Sequence, residues 1–162
     1  MASDGFTTCL WFDDQAEEAA HYYVSVFKDS DSRVGEITHY PEGGHRPAGT
    51  VLTVDFTANG QKFVGLNGGP QFKFTEAISF QITCEDQAEV DHYSQRLTED
   101  GGELGPCGWV RDRFGVSWQV VPRRLLEMFS GPDRAAAARA NKAMESMRKL
   151  DIAALEKAFA GE

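Results

Sequence analysis

The sequence predicts an α+β protein that contains two copies of one β-α-β-β-β unit, followed by a helical tail. The residues Asp14-Gln15-Ala16-Glu17 recur as Asp86-Gln87-Ala88-Glu89, and a His-Tyr pair follows each copy. Both copies come directly after a β-rich run, and a repeated sequence in a repeated context indicates a duplicated structural unit. After Pro122 the apolar residues take helical spacing, which predicts the tail.

The first unit spans residues 6–67. It opens with a β-rich run, after which Asp14 and Glu17 have the spacing of a capping box and predict the start of a helix. A further strand and a loop rich in glycine and proline come next. Two more strands then meet at Asn59-Gly60, a dipeptide that favours the type I′ turn of a β-hairpin.

The second unit spans residues 77–122 and repeats this pattern. Asp86 and Glu89 again have capping-box spacing. Arg111-Asp112-Arg113, before the last turn, is interpreted as solvated charge. The first strand alternates apolar and polar residues, which predicts one polar face. Its apolar positions are Ile78, Phe80 and Ile82, and its polar positions are Ser79, Gln81 and Thr83.

Residues 123–162 are predicted to form a helical extension of the domain made by residues 1–122. Apolar residues recur at helical spacing in three segments, and the middle segment is rich in alanine. We expect this extension to pack on the domain or on a second subunit. The three helices are predicted at Arg123–Phe129, Asp133–Arg148 and Asp151–Phe159.

Length and charge narrow the classes of function. A chain of 162 residues is one domain of ordinary size. The formal net charge of −9 opposes binding to nucleic acid or to an anionic membrane, because both of these partners are negatively charged. No apolar run approaches the roughly 18 residues of a membrane-spanning helix. We therefore expect neither nucleic acid nor membrane as a partner.

The cysteines and the N-terminus predict a cytoplasmic protein. Cys9, Cys84 and Cys107 are an odd number without a Cys-x-x-Cys pair, so we expect free thiols in a reducing compartment. Residues 1–6 lack the basic start and the apolar block of a signal peptide. Cys9 has no base or cation near it in the sequence, which predicts a buried, inert thiol and not a nucleophile.

Motifs spread over almost the whole chain carry a resemblance to a known family. They are Asn59-Gly60-Gln61, Leu66-Asn67-Gly68-Gly69-Pro70, residues 74–80, Cys84-Glu85-Asp86-Gln87, Cys107-Gly108-Trp109, residues 115–122 and residues 151–156. With these motifs the chain resembles the PhnB-like branch of the vicinal oxygen chelate superfamily, also labelled 3-demethylubiquinone-9 3-methyltransferase-like. That superfamily includes glyoxalase I, extradiol dioxygenases and the bleomycin and fosfomycin resistance proteins. The resemblance implies a single domain of the glyoxalase/bleomycin resistance/dioxygenase fold over residues 1–122, and a homodimer.

The resemblance also implies where a metal would bind. In the superfamily the ligands are usually His and Glu, from the first and last strands of each unit. With the two units aligned on their repeated motifs, those positions are expected to be Thr7, Val64, Ala77 and Gln119. Thr and Gln are weak neutral oxygen ligands, whereas Val and Ala offer no donor atom. We therefore predict no cofactor. A divalent metal stays possible but disfavoured, with His39, His45, Asp55 and Glu76 as the other side chains of suitable type.

Without a metal, the same sheet faces predict a pocket for a small organic molecule. Polar side chains stand where a packed core face would be apolar, and tryptophans add flat apolar walls. The alternative is a solvated sheet face with no physiological ligand. The predicted pocket residues are Thr7, Cys9, Trp11, Asn67, Ser79, Gln81, Trp109 and Gln119.

Enzymatic function is the alternative to simple binding. One possibility is a metal-dependent lyase, isomerase or dioxygenase-like enzyme of the same fold, with displaced ligands. The other is the methyltransferase in the family label. A Gly-rich loop between a strand and a helix is typical of nucleotide-type cofactor sites. Gly68-Gly69-Pro70 links two predicted strands and Gly101-Gly102 follows a helix, so neither fits that pattern.

Overall fold

The computed structural model describes residues 5–162 and divides the chain after Lys73 into two compact units. Each unit contains a four-stranded sheet with one helix packed on it, and the second unit adds three C-terminal helices. The α+β architecture and the helical tail predicted from the sequence are confirmed.

Unit one follows the predicted order of elements. Its sheet has the strand order β1-β4-β3-β2, in which β1 and β4 are parallel and the other neighbours are antiparallel. The Asn59-Gly60 turn joins β3 to β4 with φ values of 49° and 78°, as a type I′ turn requires. The elements are β1 (Thr8–Phe12), α1 (Ala16–Val26), β2 (Arg33–His39), β3 (Val51–Ala58) and β4 (Gln61–Asn67).

Unit two repeats this topology with the strand order β5-β8-β7-β6, and β5 and β8 are its parallel pair. The equal topology agrees with the duplication inferred from the repeated motif. A single 3₁₀ turn at Glu99–Gly101 follows α2. The elements are β5 (Ser79–Cys84), α2 (Gln87–Thr98), β6 (Glu103–Leu104), β7 (Trp109–Arg111), β8 (Ser117–Pro122), α3 (Arg123–Ser130), α4 (Arg134–Glu145) and α5 (Ile152–Ala160).

The cores lie between each sheet and its helix. In unit one, Tyr23 of α1 stacks on Phe56 with ring centroids 5.9 Å apart, and Phe56 stacks on Phe63 at 5.1 Å. In unit two, the Trp118 ring packs against Phe80 of the neighbouring strand. Burial of these apolar side chains is the main favourable term in the folding of each unit.

The two helices that follow the first strands begin differently. α2 begins as predicted, because the Asp86 carboxylate accepts the Glu89 backbone N–H at 2.9 Å. α1 begins at Ala16 after Gln15, with no cap from a side chain at its N-cap position, so the predicted cap at Asp14 is wrong. Instead, Oδ1 of Asn67, at the end of β4, accepts the Ala16 N–H at 2.8 Å. A side chain at the end of a distant strand therefore caps this helix, and the predicted local residue does not.

The tail packs on unit two through its own apolar cluster. Leu125, Met128, Leu150 and Leu155 are each at most 2% exposed, and Val121 of β8 belongs to the same cluster. The three tail helices are confirmed.

The predicted helix Asp133–Arg148 stops earlier, at Glu145. The carbonyl groups of Met147 and Arg148 instead accept the backbone N–H groups of Cys107 and Gly108, at 2.8 and 2.7 Å. These hydrogen bonds hold residues 147–148 beside the β6–β7 loop, and we call residues 147–150 the tail strap.

Asp112 is not solvated charge, and that part of the sequence interpretation is wrong. Its side chain is 2% exposed and accepts the backbone N–H groups of Phe114 and Val116, at 2.9 and 3.0 Å. Its second oxygen accepts the indole N–H of Trp118 at 2.8 Å. A carboxylate that satisfies three donors orders the β7–β8 turn.

No helix within residues 5–162 is long and apolar enough to cross a membrane. All three cysteines are free thiols; Cys84 is buried and Cys107 is half-buried. Cys9 is exposed, so its predicted burial is wrong.

Candidate functional site

Each sheet has one face that packs on its helix and a second face, which we call the open face. Residues directly opposite each other on paired strands point to the same face. In unit two, strand pairing places Gln81, Gln119 and Trp109 side by side. The next row of the same face contains Ser79, Ser117, Arg111 and Glu103.

The four residues predicted for the pocket from unit two therefore share its open face. Gln119 donates through Nε2 to the Ser79 hydroxyl oxygen at 2.9 Å, which orients the amide. Gln81 is exposed, and Trp109 is half-buried. The period-two alternation read from the sequence is confirmed here, because it placed Ser79 and Gln81 on one face and Phe80 and Ile82 on the other.

The strand register corrects two of the four expected metal positions. Ala77 lies in an exposed turn two residues before β5, so its assignment to the first strand is wrong. Thr7 also precedes its strand, since β1 starts at Thr8. The β-rich runs extend further in the sequence than the ladders do, because strand pairing starts only where a partner strand is available.

Matched positions on the first and last strands of the two units are occupied by Cys9 opposite Val64 and by Gln81 opposite Gln119. The pair in unit one offers a thiol and no donor at Val64, and the pair in unit two offers two neutral amides. Protein sites for transition metals such as zinc usually supply three or four imidazole, carboxylate or thiolate ligands. Across residues 5–162, no three His, Cys, Asp or Glu side chains come together as a ligand group. The side chains present do not fit the metal of the superfamily.

In unit one, Trp11 lies on the open face but contacts its own chain. Its indole N–H donates to the Gly69 carbonyl oxygen at 2.8 Å, and its ring meets Phe72 edge-on at 4.9 Å. A Cβ atom at Gly68 would lie 2.2 Å from the ring, so only glycine permits this approach. Trp11 therefore holds the segment that follows β4 in place. Because these contacts cover part of its ring, less of the ring is available as the predicted apolar wall of a pocket.

Asn67 does not lie on the open face. It pairs with Phe12 on the side that packs on α1, and it is 4% exposed. Besides capping Ala16, its amide donates through Nδ2 to the Val51 carbonyl oxygen at 3.2 Å. Because donor and acceptor are both engaged inside unit one, we assign Asn67 a structural role.

Unit one carries a cavity of about 540 Å³ at one end of its open face. Thr7 and Val64 line it, together with charges of both signs. Arg33 is paired there with Asp31, an exposed ion pair of small energetic value. The charged lining residues are Arg33, Glu36, Asp55 and Lys62.

Unit two carries a second cavity, of about 430 Å³, on its open face. Trp109, Leu104 and Pro106 give it an apolar wall, and Ser117 adds a hydroxyl group. Four charged side chains complete the lining, of which Arg111 and Glu103 form an ion pair at 2.8 Å. The other two are Glu76, before β5, and Arg148 of the tail strap.

Neither cysteine with a shifted pKa is activated as a nucleophile. Desolvation raises the pKa of the Cys9 thiol above its usual value. Burial raises the pKa of Cys84 to about 12, and the charges of Glu89, Asp86 and Glu85 add to that effect. Both groups are therefore protonated thiols at neutral pH, and the thiol is the unreactive form.

Sequence reasoning missed most of the charged residues around the cavity of unit two. Arg111 could have been predicted from the sequence, because it lies two residues after Trp109 on the same strand and therefore shares its face. Arg148 was not, since the alanine-rich pattern before it predicts a continuous helix. Its place follows only from the backbone contacts of the tail strap.

Similarity to known proteins agrees with the fold. A fosfomycin resistance protein, FosX from Listeria monocytogenes, is 18% identical with a TM-score of 0.54, and the match covers 81% of this chain and 100% of that one. A protein from Pseudomonas aeruginosa is 20% identical with a TM-score of 0.56, over 72% of this chain and 96% of that one. At such low identity these two similarities concern the fold alone. No protein of curated function matches the chain.

Two further findings concern the family. The PhnB protein from Bacillus cereus is 35% identical to this chain with a TM-score of 0.63, and the match covers 74% of this chain and 99% of that protein. The family model described as 3-demethylubiquinone-9 3-methyltransferase matches residues 4–121, which end before α3. The chain therefore belongs to the PhnB-like, or 3-demethylubiquinone-9 3-methyltransferase-like, family of the vicinal oxygen chelate superfamily.

Proposed function

We propose that this protein binds a small organic molecule on the open face of unit two, without a tightly bound metal. The observation that carries the proposal is the cavity of about 430 Å³ beside Trp109. Small-molecule sites are typically concave, about 300–1,000 Å³ in volume, mostly apolar, and supplied with a few fixed polar groups. This cavity has that character.

The polar groups beside the cavity are well placed to orient a ligand. Ser117 is buried on β8, and the Ser79–Gln119 hydrogen bond fixes the Gln119 amide nearby on the same face. Gln119 does not itself line the cavity, and the hydroxyl group of Ser117 is the neutral polar side chain in the lining. The Trp109 ring supplies a flat surface for an apolar or aromatic group.

The donor chemistry favours binding over catalysis. Catalytic nucleophiles need a lowered pKa or an adjacent base, whereas the pKa values of Cys9 and Cys84 are raised. The residues at the matched strand positions are amides, a thiol and a valine, which do not suit a Lewis-acid metal. Sequestration or sensing of a small molecule requires neither group.

A fragment screen on metal-stripped protein tests this proposal. We expect ligands that raise the Tm, lose affinity in Trp109→Ala and keep it in Phe72→Ala. Phe72 is a suitable control because it is an aromatic side chain, 64% exposed, in unit one. Ligands that bind only after a stoichiometric metal is restored would contradict the proposal, and so would hits that bind Trp109→Ala with unchanged affinity.

Methyl transfer is the second candidate, because the description of the matching family model names it. S-adenosylmethionine tests it directly, since a ligand at 100 times its Kd stabilises the folded state by about 2.7 kcal/mol. A clear rise in Tm with S-adenosylmethionine, and none with adenosine, would favour a methyltransferase over a binding protein. An unchanged Tm leaves simple binding as the better account.

We also propose a cytoplasmic homodimer. The three free thiols suit a reducing compartment, and the homodimer follows from the family resemblance. Light scattering coupled to gel filtration measures the mass directly, and a mass of one chain at micromolar concentration would contradict the dimer.

A further inference from the structure

We infer that Glu76 and Arg148 make the cavity of unit two selective for a small aromatic zwitterion, a molecule with one anionic group, one cationic group and a planar apolar part. The inference rests on the proposed function, because it names the class of ligand for the same cavity. It adds a role for the tail, which lies outside the residues matched by the family model.

Backbone contacts fix the position of Arg148. The Gly108 N–H donates to the Arg148 carbonyl oxygen at 2.7 Å, and the Gly108 carbonyl accepts the Val120 N–H at 2.8 Å. The tail strap is thus linked through Gly108 to the last strand of the sheet. Arg148 projects its side chain from a backbone with a defined place in the fold.

The residues that follow Arg148 anchor the strap further. Leu150 is 1% exposed in the tail core, and its carbonyl oxygen accepts Nε2 of Gln87 at 3.1 Å. The other amide atom of Gln87, Oε1, accepts the Ile152 N–H at 2.9 Å. Lys149 pairs with Asp91 at 2.6 Å and therefore turns its charge toward α2. The two neighbouring cations of the strap thus have different environments.

Of the four charged side chains that line the cavity, two form an ion pair with each other and two do not. Arg111 and Glu103 form an ion pair, so each already has a counter-charge. Within the described part of the chain, Glu76 and Arg148 have no ion-pair partner and no side-chain hydrogen bond. The cavity therefore presents one unpaired anion and one unpaired cation.

This pair of charges favours one kind of ligand. A ligand with only a negative charge would be attracted by Arg148 but repelled by Glu76. A ligand with only a positive charge would be attracted by Glu76 but repelled by Arg148. A molecule with both charges satisfies both side chains, so selectivity arises from attraction and from the penalty against the alternatives. Trp109 accommodates a planar apolar group in the same cavity.

Four probes that share a phenyl group separate these contributions. They are L-phenylalanine as the zwitterion, 3-phenylpropanoate as the anion, 2-phenylethylamine as the cation and 2-phenylethanol as the neutral compound. Isothermal titration of the full-length protein at low salt measures each Kd. We expect L-phenylalanine to bind roughly two- to fivefold more tightly than either singly charged probe, the range measured for exposed charge pairs.

Two substitutions assign the charges. Arg148→Gln should weaken the binding of L-phenylalanine and 3-phenylpropanoate roughly two- to fivefold and leave 2-phenylethylamine binding as tight or tighter. Glu76→Gln should weaken the binding of L-phenylalanine and 2-phenylethylamine and leave 3-phenylpropanoate binding as tight or tighter, because each substitution also removes a like charge. Lys149→Gln is the matched control for Arg148, and Glu42→Gln, in an exposed loop, is the control for Glu76. Both controls should leave all four Kd values unchanged.

The outcomes separate this inference from the proposed function. If the four probes bind equally, or if Arg148→Gln and Glu76→Gln leave their Kd values unchanged, the inference is overturned. In that case screening hits that depend on Trp109 still support the proposed function. Failure of all four probes to bind the unmodified protein also overturns the inference, and the fragment screen then decides the proposed function separately. Thermal melts of each variant show whether a loss of binding reflects a loss of folding.

Discussion

The two units share a topology but differ in how each is held together. In unit one Asn67 caps α1 by accepting a long-range hydrogen bond from the Ala16 N–H, and Trp11 covers the segment that follows β4. In unit two Asp86 caps α2 locally, and the tail strap covers the β6–β7 loop. A duplicated sequence motif has therefore kept its fold while its stabilising contacts diverged.

The difference extends to the open faces of the two units. Unit one closes part of its open face with its own Trp11, Gly68 and Phe72. Unit two leaves Trp109 at a cavity and adds Arg148 from an extension of the chain. The contacts that close unit one and the contacts proposed to bind a ligand in unit two thus lie in different units, and substitutions can separate them.

The largest effect is expected at Gly108, where the tail strap meets unit two. A Cβ atom there would lie 2.7 Å from the Val120 carbonyl oxygen, and the residue has a φ of +80°. Gly108→Ala should lower the free energy of unfolding by about 4 kcal/mol, because backbone strain and overpacking add. Gly68→Ala in unit one should cost about 2 kcal/mol, since the Trp11 side chain can move away whereas a backbone carbonyl cannot.

Urea denaturation measures both losses. Gly43→Ala is the control, since Gly43 has a φ of +78° but no atom within 4 Å of the added Cβ. It should cost about 1 kcal/mol from the left-handed backbone alone. Equal losses for Gly108→Ala and Gly43→Ala would show that Gly108 does not approach the Val120 carbonyl and the Leu150 side chain closely in solution.

The second comparison concerns the helix caps. Asn67→Ala should destabilise the protein by about 3 kcal/mol, because it leaves the Ala16 N–H and the Val51 carbonyl without their partner in a buried site. Asp86→Ala should cost about 1 kcal/mol, the usual loss for an exposed N-cap. Asp14→Ala should change the unfolding free energy by less than about 0.5 kcal/mol.

Chemical denaturation ranks these three variants. The expected order is Asn67→Ala, then Asp86→Ala, then Asp14→Ala. If Asp14→Ala cost as much as Asp86→Ala, the two helices would use equivalent local caps and the divergence described above would be wrong.

The helix caps also show how much of the fold could be predicted from the sequence. Periodicity and turn chemistry are local, so they predicted the element order, the Asn59-Gly60 hairpin and the polar face of β5. The repeated motif predicted two similar helices but not their different caps. Asn67 lies 51 residues from the N–H group that it caps, and no local pattern reports a contact over that separation.

The candidate site likewise has a part that the sequence predicted and a part that it did not. Alternation predicted that Ser79 and Gln81 share a polar face and that Gln119 belongs to it, because that property is local to each strand. The strand pairing adds Trp109, which the sequence predicted only as an apolar wall. The placement of Ala77 in a strand failed, since β-rich composition continues beyond the end of the ladder. Arg148 could not be predicted, because three-dimensional packing alone brings the tail strap to the cavity.

The third prediction compares the thiols of the two units at alkaline pH. The folded-state pKa of Cys84 is about 12. An unfolded cysteine ionises near pH 8.5, so above that pH the unfolded state releases a proton that the folded state keeps. Stability from Cys84 is therefore complete below about pH 8.5 and is lost toward pH 12, by about 1.4 kcal/mol per pH unit.

Unfolding curves measured between pH 8 and pH 10.5 test this dependence. Cys84→Ala should flatten the alkaline loss relative to the unmodified protein, although it lowers stability at neutral pH by leaving a small void. Cys9→Ala is the control and should keep most of the alkaline slope, because Cys9 is exposed. Parallel slopes for the protein and Cys84→Ala would contradict the assignment.

The smallest effect is expected for the exposed contact between Glu85, which follows β5, and α3 of the tail. Nε of Arg123 donates to the Glu85 carboxylate at 2.8 Å, and this hydrogen bond holds the pKa of Glu85 below its usual value. A lowered folded-state pKa contributes stability above the unfolded pKa, and that contribution is lost as pH falls through the folded value. NMR titration should show the Glu85 pKa rising in Arg123→Gln and staying low in Arg124→Gln, because Arg124 pairs with Glu156 instead. A Glu85 pKa that is unchanged in Arg123→Gln would mean that this contact is absent in solution. The tail would then be held by its apolar cluster, its backbone contacts and the contacts that Gln87 and Asp91 make with it.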